Sequence, residues 1–196
     1  MAAKKKKSPK PSAPAQPVKK AVSAPPAPRP AQKPARASSE KTASAAQLAE
    51  GSAAPQFSLP DESGALVTSA SLSGKPYVLY FYPKDDTPGC TQEACDFRDN
   101  LRSFKTKKVR VIGVSPDDAK RHAKFKEKYG LTYTLLSDTE KTLCNAYGVW
   151  IKKMNYGREY LGVQRSTFIV DKNGKIAKAW LGVRVSGHVA AVLASF

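Results

Sequence analysis

The chain has 196 residues and a formal net charge of +17, from 33 Lys+Arg against 16 Asp+Glu. That length leaves room for one domain of about 145 residues beside a terminal extension, enough to bury a core without disulfide staples. No apolar run approaches the ~20 residues needed to span a bilayer, and three cysteines with no export signal point to a reducing compartment and functional thiols.

Residues 1–50 carry 11 Lys+Arg against 2 Asp+Glu, and 9 of the 15 prolines precede residue 37. With so few large apolar side chains, such a stretch cannot offset its own ordering entropy. Residues 1–48 therefore read as a disordered basic tail and 49–196 as the folded domain. The tail is a solvated spacer, or it contacts nucleic acid weakly through residues 1–45 by counterion release from phosphates. Lys4–Lys7 also leaves a nuclear import signal open in a eukaryotic cell.

A short helical turn is expected at 43–49. The domain then opens with an N-terminal hairpin, an edge strand over 54–60 and its return over 65–68. Leu72–Pro76 turns the chain into an apolar, aromatic run, Tyr77–Tyr82, that reads as a buried central strand. Pro83 ends it, and Lys84-Asp85-Asp86 leads to Thr87-Pro88-Gly89-Cys90. Thr before Pro marks a helix start, Thr87 capping free N–H groups and Pro88 at the first helical position. The helix runs to about Ser103.

A second parallel core strand follows at 109–115, and Pro116-Asp117-Asp118 starts a helix that reaches about Tyr129. Residues 133–136 form a short strand, 139–147 a helix and 150–159 a loop. Strands 166–170 and 176–181 flank the turn Asp171-Lys172-Asn173-Gly174. Ser186 caps a last helix over 188–194. Helix crossovers between parallel strands make this an α/β domain. His122 and His188 read as surface or helix-end residues, and Cys144 as core. Trp150 and Trp180 read as core or rim aromatics. With no Cys-x-x-Cys and no clustered His, neither a metal nor another cofactor is expected.

Cys90 falls in the first turn of its helix, where the dipole and unpaired N–H groups favour the reactive thiolate. Cys95 lies five residues on along the same helix. Residues five apart on an α-helix are separated by about 140° and 7.5 Å of rise, so their Cα atoms lie roughly 8–9 Å apart, and a disulfide tolerates about 7 Å. An intact helix therefore cannot hold a Cys90–Cys95 bond.

Pro83, Thr87 and Cys90 match the Pro-x-x-x-Thr-x-x-Cys signature of peroxiredoxins. With Cys95 in place the chain resembles the peroxiredoxin Q, or bacterioferritin comigratory protein, branch from about Gly51 to Phe196. Gly162–Asp171, reading GVQRSTFIVD, is similar to that family too, with Arg165 at its active-site arginine. The resemblance implies a thioredoxin-like α/β fold in its peroxiredoxin variant, a central mixed sheet with helices on both faces. It implies a thiol peroxidase acting on hydroperoxides, with Cys90 peroxidatic and Cys95 resolving through an intramolecular disulfide that thioredoxin reduces. Thr87 and Arg165 would serve the peroxide and the thiolate. Pro83 would keep the loop rigid, and Asp85 and Asp86 would oppose ionisation unless a cation answered them. A chain ending soon after the last helix with no further cysteine argues for a monomer. Location would be the bacterial cytoplasm, or the nucleus of a eukaryote. A thioredoxin-like disulfide oxidoreductase would call for Cys-x-x-Cys and a proline before the 166–170 strand, where this chain has Gln164-Arg165. A nucleic-acid-associated redox sensor is the non-enzymatic alternative.

Overall fold

The structure is a computed structural model, and it describes residues 48–155 and 157–196. The basic tail lies outside the described residues, as does most of the turn expected at 43–49. In chain order the elements are β1 (Ser58–Pro60), β2 (Leu66–Thr68), α1 (Ser69–Leu72), β3 (Tyr77–Phe81), α2 (Pro88–Thr106), β4 (Arg110–Ser115) and α3 (Ala119–Tyr129). Then come β5 (Thr134–Ser137), α4 (Thr142–Ala146), β6 (Trp150–Asn155), β7 (Arg158–Val163), β8 (Ser166–Val170), β9 (Ile176–Leu181) and α5 (His188–Leu193).

Five strands form one sheet in the order β5-β4-β3-β8-β9. β3 is parallel to β4 and antiparallel to β8, which makes the sheet mixed. Every residue of β3 and of β8 is buried, as a strand covered on both faces requires. Period-two alternation divides β3 between two cores. Tyr77, Leu79 and Phe81 face Leu72, Leu143, Cys144 and Phe168. Val78, Tyr80 and Tyr82 face Phe97, Leu101 and Phe104 of α2, Phe125 of α3 and Val189 and Val192 of α5. Helices thus cover both faces, and β1 and β2 pair as the expected N-terminal hairpin.

Where boundaries differ from the sequence reading, local chemistry explains it. α2 runs past Ser103 to Thr106 because Phe104 is fully buried against the sheet. α4 starts at Thr142 rather than 139, since the Asp138 carboxylate accepts from the N–H groups of Leu143 (3.2 Å) and Cys144 (2.7 Å). The last helix is capped at Gly187, with φ +73°, and not by the Ser186 side chain.

The 150–159 segment, expected as a loop, belongs to the β6–β7 ribbon, with Trp150 opposite Val163 and Asn155 opposite Arg158. Its strands stand apart from the main sheet, and Met154, Tyr160 and Leu161 are exposed. With no single buried face there is no alternation to read. His122 is corrected more sharply. Expected at the surface or a helix end, it is wholly buried. His188 does begin α5, but it is buried against Trp180 and bonded to the Thr167 hydroxyl at 2.8 Å.

Gly113, in the middle of β4, is required by space. A Cβ there would lie 2.7 Å from Leu135 Cδ2 and 2.8 Å from the Tyr80 ring and hydroxyl. Both neighbours are fully buried, and Tyr80 is fixed by stacking on Phe97 and by its bond to the Tyr133 hydroxyl. Gly113→Ala is expected to lower unfolding free energy by about 1–3 kcal/mol, the usual cost of overpacking. Urea titration of the variant against wild type measures it.

Candidate active site

The site forms where β3 hands the chain to α2 and β8 arrives from the opposite direction. In the antiparallel register Phe81 pairs with Ser166, so the residue before β8, Arg165, lies beside the loop that follows β3. Its Nη2 donates to Cys90 Sγ at 3.1 Å across 75 positions of sequence. Cys90 is the third residue of α2 and 1% exposed, while Pro88 and Gly89 beside it are exposed.

The first bond of α2 runs from the Thr91 N–H to the Thr87 carbonyl at 2.8 Å. The Gly89 and Cys90 N–H groups thus lie in the open first turn, where the helix dipole favours an anion by about 0.3–1 kcal/mol. Thr87 is the N-cap residue in extended conformation, but its side chain caps no N–H. Instead its hydroxyl donates to the Lys84 carbonyl at 3.1 Å. The expected cap is absent, and with its proton engaged the hydroxyl is left as an acceptor rather than a donor to sulfur. Pro83 is exposed at the start of the loop.

Asp85 and Asp86 do not face the sulfur unanswered. Asp85 is buried and bonded to Tyr82 and His122, while Asp86 is paired with Lys128 and Tyr129. Both carboxylates are satisfied on the α3 side. Cys95 is half-buried, off the stripe of α2 that carries Cys90, Ala94 and Phe97. Both thiols are free, on one unbroken helix. Cys144 is wholly buried, its thiol pushed well up by burial and by Asp138, which suits the expected packing role.

Glu93 was not singled out in the sequence. It is fully buried and ion-paired with Arg165 Nη1, so the guanidinium bridges a carboxylate and the sulfur. Burial opposes the charge on Arg165, but Glu93 and Cys90 together raise its pKa. Burial pushes Glu93 up to about 7, partly restrained by Arg165. Its sequence signal was available, because a Glu three residues after Cys90 shares that face of the helix. Lys153 on β6 went unnoticed with its strand. Its ammonium donates to the Val163 carbonyl at 2.6 Å. Burial, with Arg165 nearby, lowers its pKa against an opposing pull from Cys90. No group of three or more His, Cys, Asp or Glu that could hold a metal ion occurs among the described residues.

With this geometry in place, comparison with known proteins is direct. Residues 51–179 match the AhpC/TSA family. The chain belongs to that family. Peroxiredoxin Bcp of Bacillus subtilis is 50% identical over 143 residues, which cover 73% of this chain and 91% of that protein. Peroxiredoxin Bcp of Escherichia coli is 41% identical over 146 residues, 74% of this chain and 94% of that one. The solved Xanthomonas campestris bacterioferritin comigratory protein, described with its alkyl peroxide reduction activity, superposes with a TM-score of 0.69 at 40% identity, covering 71% of this chain and 88% of that one. Sequence and fold therefore place the protein among the peroxiredoxins of the Bcp, or peroxiredoxin Q, branch, with a thioredoxin-like fold. No helix among the described residues is long and apolar enough to cross a membrane.

The raised pKa of Glu93 has a measurable consequence. A carboxyl that titrates near 4.5 when unfolded and near 7 when folded stabilises the fold fully below pH 4.5. That contribution is lost as pH rises through about 7. His188, pushed down from 6.5 to about 4 by burial and by Arg165, acts in the opposite sense, its contribution present above pH 6.5 and lost as pH falls through 4. The difference between wild type and Glu93→Gln isolates the first group. Wild-type Tm minus variant Tm is expected to fall steadily from pH 4.5 to above 7, as read by differential scanning fluorimetry.

Proposed function

We propose that this peroxiredoxin reduces hydrogen peroxide and organic hydroperoxides through Cys90, resolves the product through Cys95 and is recycled by thioredoxin. The observation that carries this reading is the Arg165 guanidinium at 3.1 Å from Cys90 Sγ. In the first step the Cys90 thiolate attacks the terminal peroxide oxygen. The O–O bond breaks with both electrons leaving on the distal oxygen, which takes a proton and departs as water or alcohol. Cys90 is left as a sulfenic acid.

Arg165 stabilises the thiolate and then the charge that develops on the departing oxygen. Thr87, its proton given to Lys84, accepts from the peroxide O–H. The Gly89 and Cys90 N–H groups face the same space from the start of α2. Glu93 holds Arg165 in orientation. Pro83 stiffens the loop that presents Thr87.

In the second step the Cys95 thiolate attacks the Cys90 sulfenic sulfur, and the hydroxyl leaves as water. A Cys90–Cys95 disulfide remains. The first turns of α2 must unwind for that bond to form. A thioredoxin dithiol then reduces the disulfide by exchange, becoming a disulfide itself. Such a cycle suits a reducing cytoplasm. The chain acts as a monomer, and residues 1–45 make weak, salt-sensitive contact with nucleic acid. A nuclear role for Lys4–Lys7 would require a eukaryotic host.

Cys90→Ser is expected to abolish peroxide consumption in a thioredoxin-coupled assay. Cys95→Ser should complete one turnover and then stop. Arg165→Met should lower kcat/KM by about 10²–10³-fold, the usual cost of losing one preorganised donor. Wild type oxidised by one equivalent of peroxide and lacking a Cys90–Cys95 bond by mass spectrometry would dispose of the resolving assignment. Removing residues 1–45 should leave peroxidase activity intact and abolish DNA retention at low salt.

A further inference from the structure

The loop between β3 and α2 is fastened to α3 and β5 at two successive residues, by groups that the chemistry above does not use. Asp85 is 3% exposed and His122 wholly buried. The Asp85 carboxylate accepts from the Tyr82 hydroxyl at 2.7 Å through Oδ1 and faces His122 Nδ1 at 2.8 Å through Oδ2. His122 Nε2 lies 3.2 Å from the Leu136 carbonyl on β5. A carbonyl only accepts, so Nε2 donates, and a second proton bridges Nδ1 and the carboxylate. The Asp85 N–H donates to the Asp117 carboxylate at 2.6 Å. One residue on, Asp86 sits at φ +57°, a conformation that non-glycine residues adopt at a cost. Its carboxylate is held by Lys128 at 2.8 Å and by the Tyr129 hydroxyl at 2.5 Å.

Apart from Tyr82, which directly follows β3, these partners lie on α3, on β5 or in the turn before α3, and none lies on α2. Beyond Asp86 the fastening is sparse. The Thr87 side chain bonds only back to Lys84, Pro88 and Gly89 are exposed, and the Cys90 sulfur is held by Arg165.

We infer that the Asp85–His122 pair, backed by Asp86 on Lys128 and Tyr129, is the fixed post at which the unwinding of α2 stops. His122 is a positioning residue that acts through Asp85 on Cys90. This inference rests on the peroxidatic and resolving roles proposed above. A helix that must open each cycle needs one end that does not move, or the peroxidatic sulfur has no defined place to return to. With Asp85 and Asp86 immobile, backbone rotation is confined to Thr87–Cys95, and refolding returns Cys90 to the guanidinium. The pair therefore favours the folded, peroxide-reactive state of the first turn without touching peroxide.

His122→Gln keeps a donor toward Leu136 and loses the one toward Asp85. His122→Asn does the reverse and serves as the conservative rescue. In rapid-mixing experiments on the full chain, His122→Gln and Asp85→Asn are expected to slow the peroxide step at least fivefold. Disulfide formation should be unchanged or faster, and His122→Asn should lie closer to wild type. In the reduced proteins, amide hydrogen exchange at Thr91–Ala94 should quicken at least tenfold in His122→Gln, with Arg102–Thr106 unchanged.

A merely structural role would lower the reacting amplitude and leave both rate constants and their ratio as in wild type. That result would overturn the inference. If the buried variants do not fold, the exposed Asp86→Gly decides: at least a twofold shift in the rate ratio supports it, and an unchanged ratio sinks it. Should wild type form no Cys90–Cys95 bond, the proposed cycle fails by itself. The exchange data on reduced protein then still decide whether Asp85 and His122 hold the first turn in place.

Discussion

The structure depends on one contact, the guanidinium of Arg165 against the sulfur of Cys90. Their meeting could not be read from either residue's own neighbours in sequence. The contact exists because β3 and β8 run antiparallel with Phe81 opposite Ser166, which brings the end of one strand to the start of the other. Both strands are buried throughout, so slipping the register by one residue would turn each apolar set to the wrong face. The cation is thus located by the packing of the core. Its orientation is set at close range by Glu93, a carboxylate with no exposure to solvent.

Burying these charges carries a penalty that the fold answers locally. Ionised groups removed from water are tolerated when paired and hydrogen-bonded. Around α2 each acid has its own partner: Glu93 with Arg165, Asp85 with His122 and Tyr82, Asp86 with Lys128 and Tyr129. The two loop aspartates that would have opposed a thiolate are turned to the far side and satisfied there. The sulfur is left with a cation beside it, in the open first turn of a helix.

The same helix serves two incompatible demands. Closed, it seats Cys90 in the core beside Tyr80, Phe97 and Ala94. It must open for the two thiols of the proposed cycle to meet, because helical geometry keeps them too far apart. The structure separates these demands along the chain. The far part of α2 is locked by Phe97, Leu101 and Phe104, the loop before it is pinned to α3, and the few turns between carry exposed Pro88 and Gly89. Opening and closing free energies commonly vary in this way within one element.

How much could be read before the structure follows from the range of each signal. Local patterns survive in sequence: the buried run at 77–82, the Thr-Pro start of α2, the Asp-Lys-Asn-Gly turn at 171–174 and the spacing of Cys90 and Cys95 all gave elements or constraints that the fold contains. The α/β class followed from these, and the mixed sheet and the family from the resemblance carried by Pro83, Thr87, Cys90, Cys95 and Arg165. The β6–β7 ribbon did not, because only its Trp150–Val163 end packs on the core and the rest, largely exposed, has no buried period. Glu93 and Lys153 escaped because a charged side chain shows its burial only through a partner: Arg165, 72 residues on, for Glu93, and the Val163 carbonyl of the unrecognised ribbon for Lys153. His122 was misread for the same reason, since its lysine-rich helix reads as solvated until Asp85 and Leu136 are seen against it. The sequence by itself determined where Cys90 sits in the first turn of its helix and the mismatch between helix and disulfide, since these depend on spacing along one segment. Only the tertiary structure decided how Arg165, named beforehand through the family resemblance alone, meets the sulfur, where the loop carboxylates turn and what holds the loop in place. Each of those is a pairing across strands or helices, which register and packing set and no single stretch of chain contains.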